Sequence, residues 1–276
     1  MSGAGSQTYS APFDGVADSY DEVFTASSIG QAQRTSIWEE LGKTFHRGQY
    51  VLEIGCGTGV DACFLSERGV RVVACDSSPR MMAVTRQRLT NHCQAGLVET
   101  RLLAAEEIAT LQGGDLFDGA FSNFGALNCV RDMRLLARDV ASVLRPGATA
   151  LLCLMGPCCL WEILWYLAQF KPAKACRRLQ GESTARLSGG ATLHVYYPSL
   201  RSLARAFSRE FFLESIKGIG IAVPPSYLES AANRFPGLLR SAVFADSLLG
   251  YCPGMRVLAD HILVKFKRKC TSSLTE

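Results

Sequence analysis

Three alternating glycines lie where a short apolar segment gives way to helical periodicity. Gly55, Gly57 and Gly59 close the segment that begins Val51-Leu52-Glu53-Ile54. Glycine reaches backbone angles closed to other residues and has no Cβ, so the chain can turn sharply and a ligand can lie against the backbone. The helix that follows presents unpaired N–H groups in its first turn. The pattern predicts a nucleotide-type ligand at this turn.

Two acidic residues refine this prediction. Asp76 ends the next apolar segment, 21 residues after Gly55, where a carboxylate can accept both hydroxyls of an adenosine ribose. The alternative for Asp76 is a turn or cap residue before Ser77-Ser78-Pro79. The glycine spacing is GxGxG, whereas dinucleotide sites have GxGxxG. Glu53 would be unfavourable beside a pyrophosphate and suits a ligand that carries an ammonium group.

Strand-like and helix-like segments alternate around this turn. The predicted strands are Tyr50–Ile54, Val70–Cys75, Leu97–Leu103, Phe117–Ser122 and Ala148–Met155. The helices between them are Val60–Arg68, Met81–Asn91 and Met133–Leu144. This alternation implies βαβ crossovers and a parallel sheet covered on both faces. We therefore predict a doubly wound α/β domain with a seven-strand, mostly parallel sheet whose last strand is antiparallel.

The remaining segments surround this core in one domain, predicted at 13–276. Residues 1–12 indicate a flexible leader, 13–46 helices that form an N-terminal lid, and 47–156 the cofactor-binding core. Residues 157–197 indicate an insertion after the fifth strand that caps the acceptor, and 198–268 the closing helices and strands. The closing strands are predicted at Phe211–Lys217 and Val257–Phe266.

These motifs resemble those of the class I S-adenosylmethionine-dependent methyltransferases. The matching segments are Val51–Gly59, Asp76, Ala105-Glu106, Phe117–Asn123, Leu144–Gly147 and, near the N-terminus, Phe13–Asp21. They span about residues 13–155 in the order of the family. One departure is Ala148 after Gly147, where such proteins often have paired glycines. The resemblance implies a Rossmann-like methyltransferase fold, S-adenosylmethionine as cofactor and S-adenosylhomocysteine as product.

The resemblance also assigns residues to the parts of the cofactor. Gly55, Cys56 and Gly57 would line the methionine moiety, near Glu53, and Asp76 would hold the ribose. The residues implied around the adenine are Ser77, Met81, Ala105 and Glu106, and those implied near the sulfonium are Ser122, Asn123 and Phe124. Tyr20 would reach the ligand from the lid, or it would only pack beneath the lid.

The acceptor site is expected beyond the carboxyl ends of the strands. Methyl transfer is an in-line displacement that depends on alignment, so a base is needed only if the acceptor must lose a proton. The candidate bases are His194 and Tyr196 or Tyr197, although a histidine between apolar neighbours also fits a hydrogen-bonded strand residue. His261 is expected to be structural. The candidate acceptor contacts are Asn128, Trp161, Trp165 and Tyr197.

The aromatic helix that opens the insertion, Leu160–Leu167, has three interpretations. It could wall a planar or lipid-like acceptor, or pack on the sheet. Since Lys171, Lys174, Arg177 and Arg178 follow it, a shallow contact with a membrane surface is the third.

Composition narrows the class of protein. Apolar residues make up 48% of the chain and charged residues 20%, with a net charge of +4, which is typical of a folded globular protein and does not indicate a nucleic-acid partner. The eleven cysteines include Cys63, Cys75 and Cys153 in apolar segments, so we expect buried free thiols and no zinc or other metal site. No signal peptide or membrane-spanning segment is predicted, and the expected location is the cytoplasm.

These observations predict an S-adenosylmethionine-dependent methyltransferase that acts on a small, apolar or aromatic metabolite. They leave open whether oxygen, nitrogen or carbon is methylated. The alternative is a non-catalytic module that binds S-adenosylmethionine as a sensor or partner surface. A nicotinamide-dependent oxidoreductase would need GxGxxG and a Tyr-x-x-x-Lys group, which are absent from the glycine turn and from the end of the fourth strand.

Overall fold

A computed structural model describes residues 11–92, 96–187 and 190–270. The first ten residues of the predicted leader lie outside these ranges. The strands are β1 Tyr50–Ile54, β2 Arg71–Asp76, β3 Val98–Leu102, β4 Phe117–Ser122, β5 Leu144–Met155, β6 Glu182–Arg186, β7 Thr192–Tyr196, β8 Phe211–Ile219 and β9 His261–Arg268.

The α-helices are α1 Ala17–Tyr20, α2 Ser28–Thr44, α3 Val60–Ser66, α4 Pro79–His92, α5 Met133–Val143, α6 Leu160–Ala168, α7 Pro172–Ala175, α8 Leu200–Phe207, α9 Glu229–Arg234 and α10 Pro236–Leu249. A π-helical turn spans Asp21–Thr25. Short 3-10 helices span Asp14–Val16, Ala105–Leu111, Ala126–Cys129, Arg177–Gln180, Ser226–Leu228 and Arg256–Leu258.

Seven strands form one sheet in the order β3-β2-β1-β4-β5-β9-β8. Strands β1 to β5 pair in parallel, and β9 runs antiparallel between β5 and β8. The predicted seven-strand doubly wound sheet is therefore confirmed. The strand order reverses between β1 and β4, and this reversal opens a crevice beyond the carboxyl ends of the two strands.

The sheet buries apolar side chains on both faces. Along β5, Ala150, Leu152 and Leu154 pack in the cluster that includes residues of α5 and α8. Leu151 and Cys153 point to the opposite face and pack in the cluster that includes residues of α2 and α3. Because successive strand residues face opposite sides, a strand covered on both sides must be apolar throughout.

The structure differs most from the sequence prediction at three elements. The fifth strand begins at Leu144, four residues earlier than predicted. The final strand begins at His261, four residues later than predicted, because Arg256–Leu258 forms a 3-10 turn. Within the insertion, β6 and β7 pair as an antiparallel hairpin that we did not predict. Its strands have five residues each and are only partly buried, so no apolar run marks them in the sequence.

The cysteines only partly match the expectation of buried free thiols. Cys75 and Cys153 are buried and free, but Cys176, Cys252 and Cys270 are exposed. For Cys63 the expectation of a free thiol is wrong, because this residue is disulfide-bonded.

In the described part of the chain, no group of His, Cys, Asp and Glu side chains is placed to hold a metal ion. Among those same residues, no helix has the length and apolar character needed to cross a membrane.

Candidate functional site

The glycine turn joins β1 to α3 with its three glycines at positive φ, +73° at Gly55, +53° at Gly57 and +76° at Gly59. A Cβ on Gly55 would lie 2.4 Å from the Cβ of Ala126, and one on Gly59 2.6 Å from the side chain of Thr85. No atom lies within 4 Å of the corresponding position on Gly57. The first and third glycines thus permit close packing, and the second leaves its side of the backbone open.

Asp76 ends β2 beside this turn. Its Oδ2 accepts a hydrogen bond from the Gly57 N–H at 2.8 Å, and its Oδ1 accepts one from the Ser78 N–H at 2.9 Å. Burial raises the pKa of Asp76, and the backbone donors oppose that shift. Each carboxylate oxygen keeps a second lone pair. The structure therefore gives Asp76 both the turn role and a free accepting side.

A cavity of about 430 Å³ lies over the glycine turn and Asp76. Ten of the thirteen residues predicted to surround the cofactor line it: Tyr20, Gly55, Gly57, Asp76, Ser77, Met81, Ala105, Glu106, Asn123 and Phe124. They come from the lid, from the ends of β1, β2 and β4, and from the segment after β3. The topology brings them together because all these strand ends meet at one edge of the sheet.

The other three predicted residues are not part of this wall. The hydroxyl of Ser122 donates to the Ile54 carbonyl at 2.7 Å and joins β4 to β1. Cys56 lines a small recess beside the cavity. Glu53 is buried, and its Oε2 has no hydrogen-bond partner. Burial raises the pKa of Glu53 well above its usual value, and the nearby carboxylate of Asp61 adds to the shift.

A buried charge cluster supports the recess and was not foreseen from the sequence. Asp61 accepts hydrogen bonds from Arg34 at 2.6 Å, Trp38 at 2.7 Å and Asn123 at 2.8 Å. The Arg34 guanidinium also lies 4.7 Å from the ring centre of Phe124. These groups come from α2, α3 and the end of β4, and no local spacing in the sequence connects them.

The lid is held over the cavity by its acidic residues. Asp14 Oδ1 accepts a hydrogen bond from the Ser78 hydroxyl at 2.5 Å. Asp21 accepts one from the Thr58 hydroxyl at 2.7 Å and forms an ion pair with Arg88. The lid is therefore anchored to the glycine turn and to the start of α4.

Part of the cavity wall is apolar. It combines the hairpin with residues near the N-terminus, after β4 and at the end of β5: Pro12, Phe13, Leu127, Cys129, Val130, Met155, Ala185, Leu187, Leu193 and Val195. Burial raises the pKa of the Cys129 thiol to about 11 and also raises the pKa of the Tyr20 phenol. Both groups are therefore protonated near neutral pH.

The structure places the predicted acceptor-site bases away from this wall. In β7, Leu193 and Val195 line the cavity, whereas His194 between them is exposed on the opposite face. Tyr196 lines a separate cavity of about 440 Å³ beside α5 and α8. Neither His194 nor Tyr196 lines the cavity over the glycine turn, because strand alternation turns both side chains away from it.

The predicted acceptor contacts also have other roles. Asn128 is buried and donates to the carbonyls of Met155 at 2.9 Å and Tyr196 at 2.6 Å, while its own oxygen accepts from the Met155 N–H at 2.8 Å. Tyr197 is buried, with its hydroxyl 3.1 Å from that of Ser183. Asn128 therefore links the insertion to the end of β5, and Tyr197 links two parts of the insertion. Neither side chain lines the cavity.

The two tryptophans do not line the cavity either. Trp165 is 40% exposed, and its ring lies 6.1 Å from that of Tyr227. His261 is buried at the start of β9, its ring edge-on to Phe124 at 5.8 Å.

Comparison with known proteins supports the interpretation of this site. A family model described as "Methyltransferase domain" matches residues 51–147. The chain contains a class I S-adenosylmethionine-dependent methyltransferase domain. The demethylmenaquinone methyltransferase of Clavibacter sepedonicus is 31% identical over 144 residues, 52% of this chain and 56% of the relative. That of Mycobacterium marinum is 33% identical over 144 residues, 51% of this chain and 56% of the relative.

An S-adenosylmethionine-dependent methyltransferase from Mesorhizobium loti has the same fold, with a TM-score of 0.59 and 18% identity over 87% of this chain and all of that one. The methyltransferase domain and the matches to relatives give no support to a non-catalytic module. The chain spans only about half the length of the curated relatives it matches. The family match ends at residue 147, before the insertion, so the acceptor must be inferred from the cavity.

Proposed function

We propose that this protein transfers the methyl group of S-adenosylmethionine to a small apolar acceptor held against the β6–β7 hairpin. The observation that carries the proposal is one cavity whose wall combines two chemically different sets of residues. Asp76 and Glu106 are its carboxylates, and aliphatic side chains of the hairpin form part of the same wall.

The residues present fit S-adenosylmethionine. Gly57 leaves open space where a side chain would project, and Asp76 offers one free lone pair on each oxygen to the ribose hydroxyls. Glu106 lines the adenosine end as a further acceptor. When bound, S-adenosylmethionine supplies the electrophilic methyl group.

Glu53 supports a cationic ligand. Its Oε2 is buried without a partner, an arrangement that costs free energy in the unliganded protein. An ammonium group beside it would favour the ionised carboxylate and reverse the effect of burial on its pKa. A buried carboxylate at this position therefore favours S-adenosylmethionine, which carries an ammonium group, over a diphosphate ligand.

The acceptor end favours an apolar compound that brings its own nucleophile. Besides Asp76 and Glu106, the titratable side chains of the cavity wall among the residues that the structure describes are Tyr20 and Cys129, and the raised pKa of each keeps it protonated. Neither is suited to remove a proton near neutral pH. Tyr20 can instead donate a hydrogen bond. We infer that the acceptor reacts as an anion or through an electron-rich carbon.

The name of the matched relatives suggests a first compound to test. Demethylmenaquinone is by its name a quinone, and the reduced form of a quinone offers both ring carbon and oxygen nucleophiles. Such an acceptor agrees with the aliphatic wall formed by Leu187, Leu193 and Val195.

The experiment measures release of S-adenosylhomocysteine with reduced demethylmenaquinone and with simpler quinols, phenols and amines. Turnover that rises with the apolar character of the acceptor is the expected result. S-adenosylmethionine binding without turnover on any apolar acceptor would refute the proposed substrate class. Failure of S-adenosylmethionine to bind in calorimetry would refute the proposed activity itself.

Two adjacent residues of β7 provide a matched pair of variants. Leu193→Ala removes three carbons that the proposed acceptor would cover, worth roughly 2 kcal/mol, and we expect kcat/KM for the acceptor to fall by up to about 30-fold. His194→Ala alters the opposite face and should leave kcat/KM within about twofold. If His194→Ala caused the larger loss, the acceptor would not lie on this wall.

A further inference from the structure

The outward face of α6 is apolar. Leu164, Trp165 and Leu167 are 51%, 40% and 48% exposed, and the next residue, Ala168, is exposed as well. Their spacing places them on one side of the helix. A helix on the surface of a globular protein normally turns its polar side to water. This face has the character of a buried contact, and none of the residues that the structure describes covers it.

Phe170 extends this face beyond the end of the helix. Its side chain is 93% exposed, and its backbone has φ of +55°. The turn is held by hydrogen bonds from the Phe170 N–H to the Leu167 carbonyl and from the Lys171 N–H to the Tyr166 carbonyl, each 2.9 Å long. A left-handed conformation is unfavourable for a bulky residue. The chain thus holds a phenylalanine in water at a conformational cost, which these two helix-capping hydrogen bonds help to offset.

The charge around this face is positive. Between residues 157 and 181 the sequence contains one acid, Glu162. That carboxylate is buried and bonded to Arg177 and Arg178. Lys171 and Lys174 remain exposed next to Phe170. The outward side of the segment therefore combines apolar side chains with uncompensated cations.

We propose that this α6 surface, made of Leu164, Trp165, Leu167, Phe170, Lys171 and Lys174, docks on the face of an anionic phospholipid bilayer. Phe170 and the apolar face of α6 would enter the boundary between headgroups and acyl chains, and the lysines would meet the lipid phosphates. Trp165, in ring contact with Tyr227, suits the same boundary because its ring combines an apolar body with one polar N–H.

The charges favour a bilayer over a second copy of this chain. A two-fold pairing through this face would bring the same patch of each copy together. Lys171 and Lys174 of both copies would then repel one another. An anionic lipid surface instead neutralises them.

The α6 surface lies at the same edge of the sheet as the cavity. β5 ends at Met155, which lines the cavity, and α6 starts at Leu160, at the same edge of the sheet. The hairpin that walls the acceptor end follows in the same insertion. Docking through α6 would hold this edge of the sheet near the bilayer, whatever the acceptor is.

The test is co-sedimentation of the full chain with vesicles of phosphatidylcholine alone and with an equal mixture of phosphatidylcholine and phosphatidylglycerol. We expect binding to the mixed vesicles that is released by salt. Phe170→Ala should weaken it by about tenfold, and Lys171→Gln with Lys174→Gln by about fivefold for each lysine. Because these side chains are exposed, thermal unfolding and S-adenosylmethionine binding should stay unchanged.

Phe212→Ala is the matched control. Phe212 is 61% exposed with the Lys269 ammonium 4.9 Å from its ring centre, and it lies near the start of β8, at the opposite edge of the sheet. Its variant should bind as the original protein does. Absence of binding to the mixed vesicles, an equal loss with Phe212→Ala, or no loss with either α6 variant would overturn the proposal. So would a dimer in sedimentation that Phe170→Ala abolishes without any vesicle binding.

Discussion

Replacement of Asp76 by alanine tests the cofactor end of the cavity most directly. In the structure both carboxylate oxygens of Asp76 already hold the backbone, one at Gly57 and one at Ser78. Each oxygen has one lone pair left for a ribose hydroxyl. Asp76→Ala would therefore remove two proposed ligand contacts, one contact that shapes the glycine turn and one within the turn after β2.

The two sets of contacts have different expected magnitudes. A hydrogen bond to a charged group contributes about 1.5–3 kcal/mol. Because the loss of two such bonds to one ligand is not additive, we expect about 2–3 kcal/mol, or a 30- to 150-fold rise in the Kd for S-adenosylmethionine. The unliganded protein should change by less than about 2 kcal/mol, because the lost backbone hydrogen bonds are offset by removal of a buried carboxylate.

Isothermal calorimetry gives the Kd, and urea unfolding without ligand gives the change in stability. Asp18→Ala is the control, since Asp18 is an exposed lid carboxylate paired with Arg80 at 2.6 Å and does not line the cavity. Its affinity should match that of the original protein. An Asp76→Ala variant whose affinity stays within about twofold would refute the assignment of Asp76 to the ribose.

Three further results are expected. Burial raises the pKa of Glu53 above its usual value of 4.5, so the unfolded chain releases this proton first. The free energy of unfolding should then fall as pH rises from about 4.5 through the raised pKa, and urea unfolding of Glu53→Gln should lack that fall. Asn128→Ala removes the three hydrogen bonds of a buried side chain, and the free energy of unfolding measured in urea should fall by about 3 kcal/mol. A fall of less than about 1 kcal/mol would contradict the structural role of Asn128. The Cβ added by Gly57→Ala would project into open space, so this variant should lose about 1 kcal/mol of stability but should no longer bind S-adenosylmethionine measurably. The Cβ added by Gly55→Ala would collide with Ala126, so this variant should lose at least about 2 kcal/mol of stability. Equal stabilities for the two glycine variants would contradict the packing described.

The sequence alone determined the cofactor half of this protein, because local patterns encode it. Local sequence specifies three features: the continuous apolar strands, the glycines at positive φ and the acid at the end of β2. Each depends only on residues a few positions away. The parallel topology then brings the strand ends to one edge, so Gly55 and Asp76 could be predicted to meet, and the family resemblance implied that Asn123 joins them.

Tertiary structure decided the acceptor half and the buried support of the site. The β6–β7 hairpin was not predicted, and its register determines that Leu193 faces the cavity while His194 faces away. A shift of one residue would exchange the two. The cluster of Arg34 and Asp61 depends on how α2 packs on α3. The outward direction of Trp165 depends on which side of α6 packs against the rest of the insertion. These orientations are set by packing between segments that are distant in sequence, so local periodicity cannot predict them.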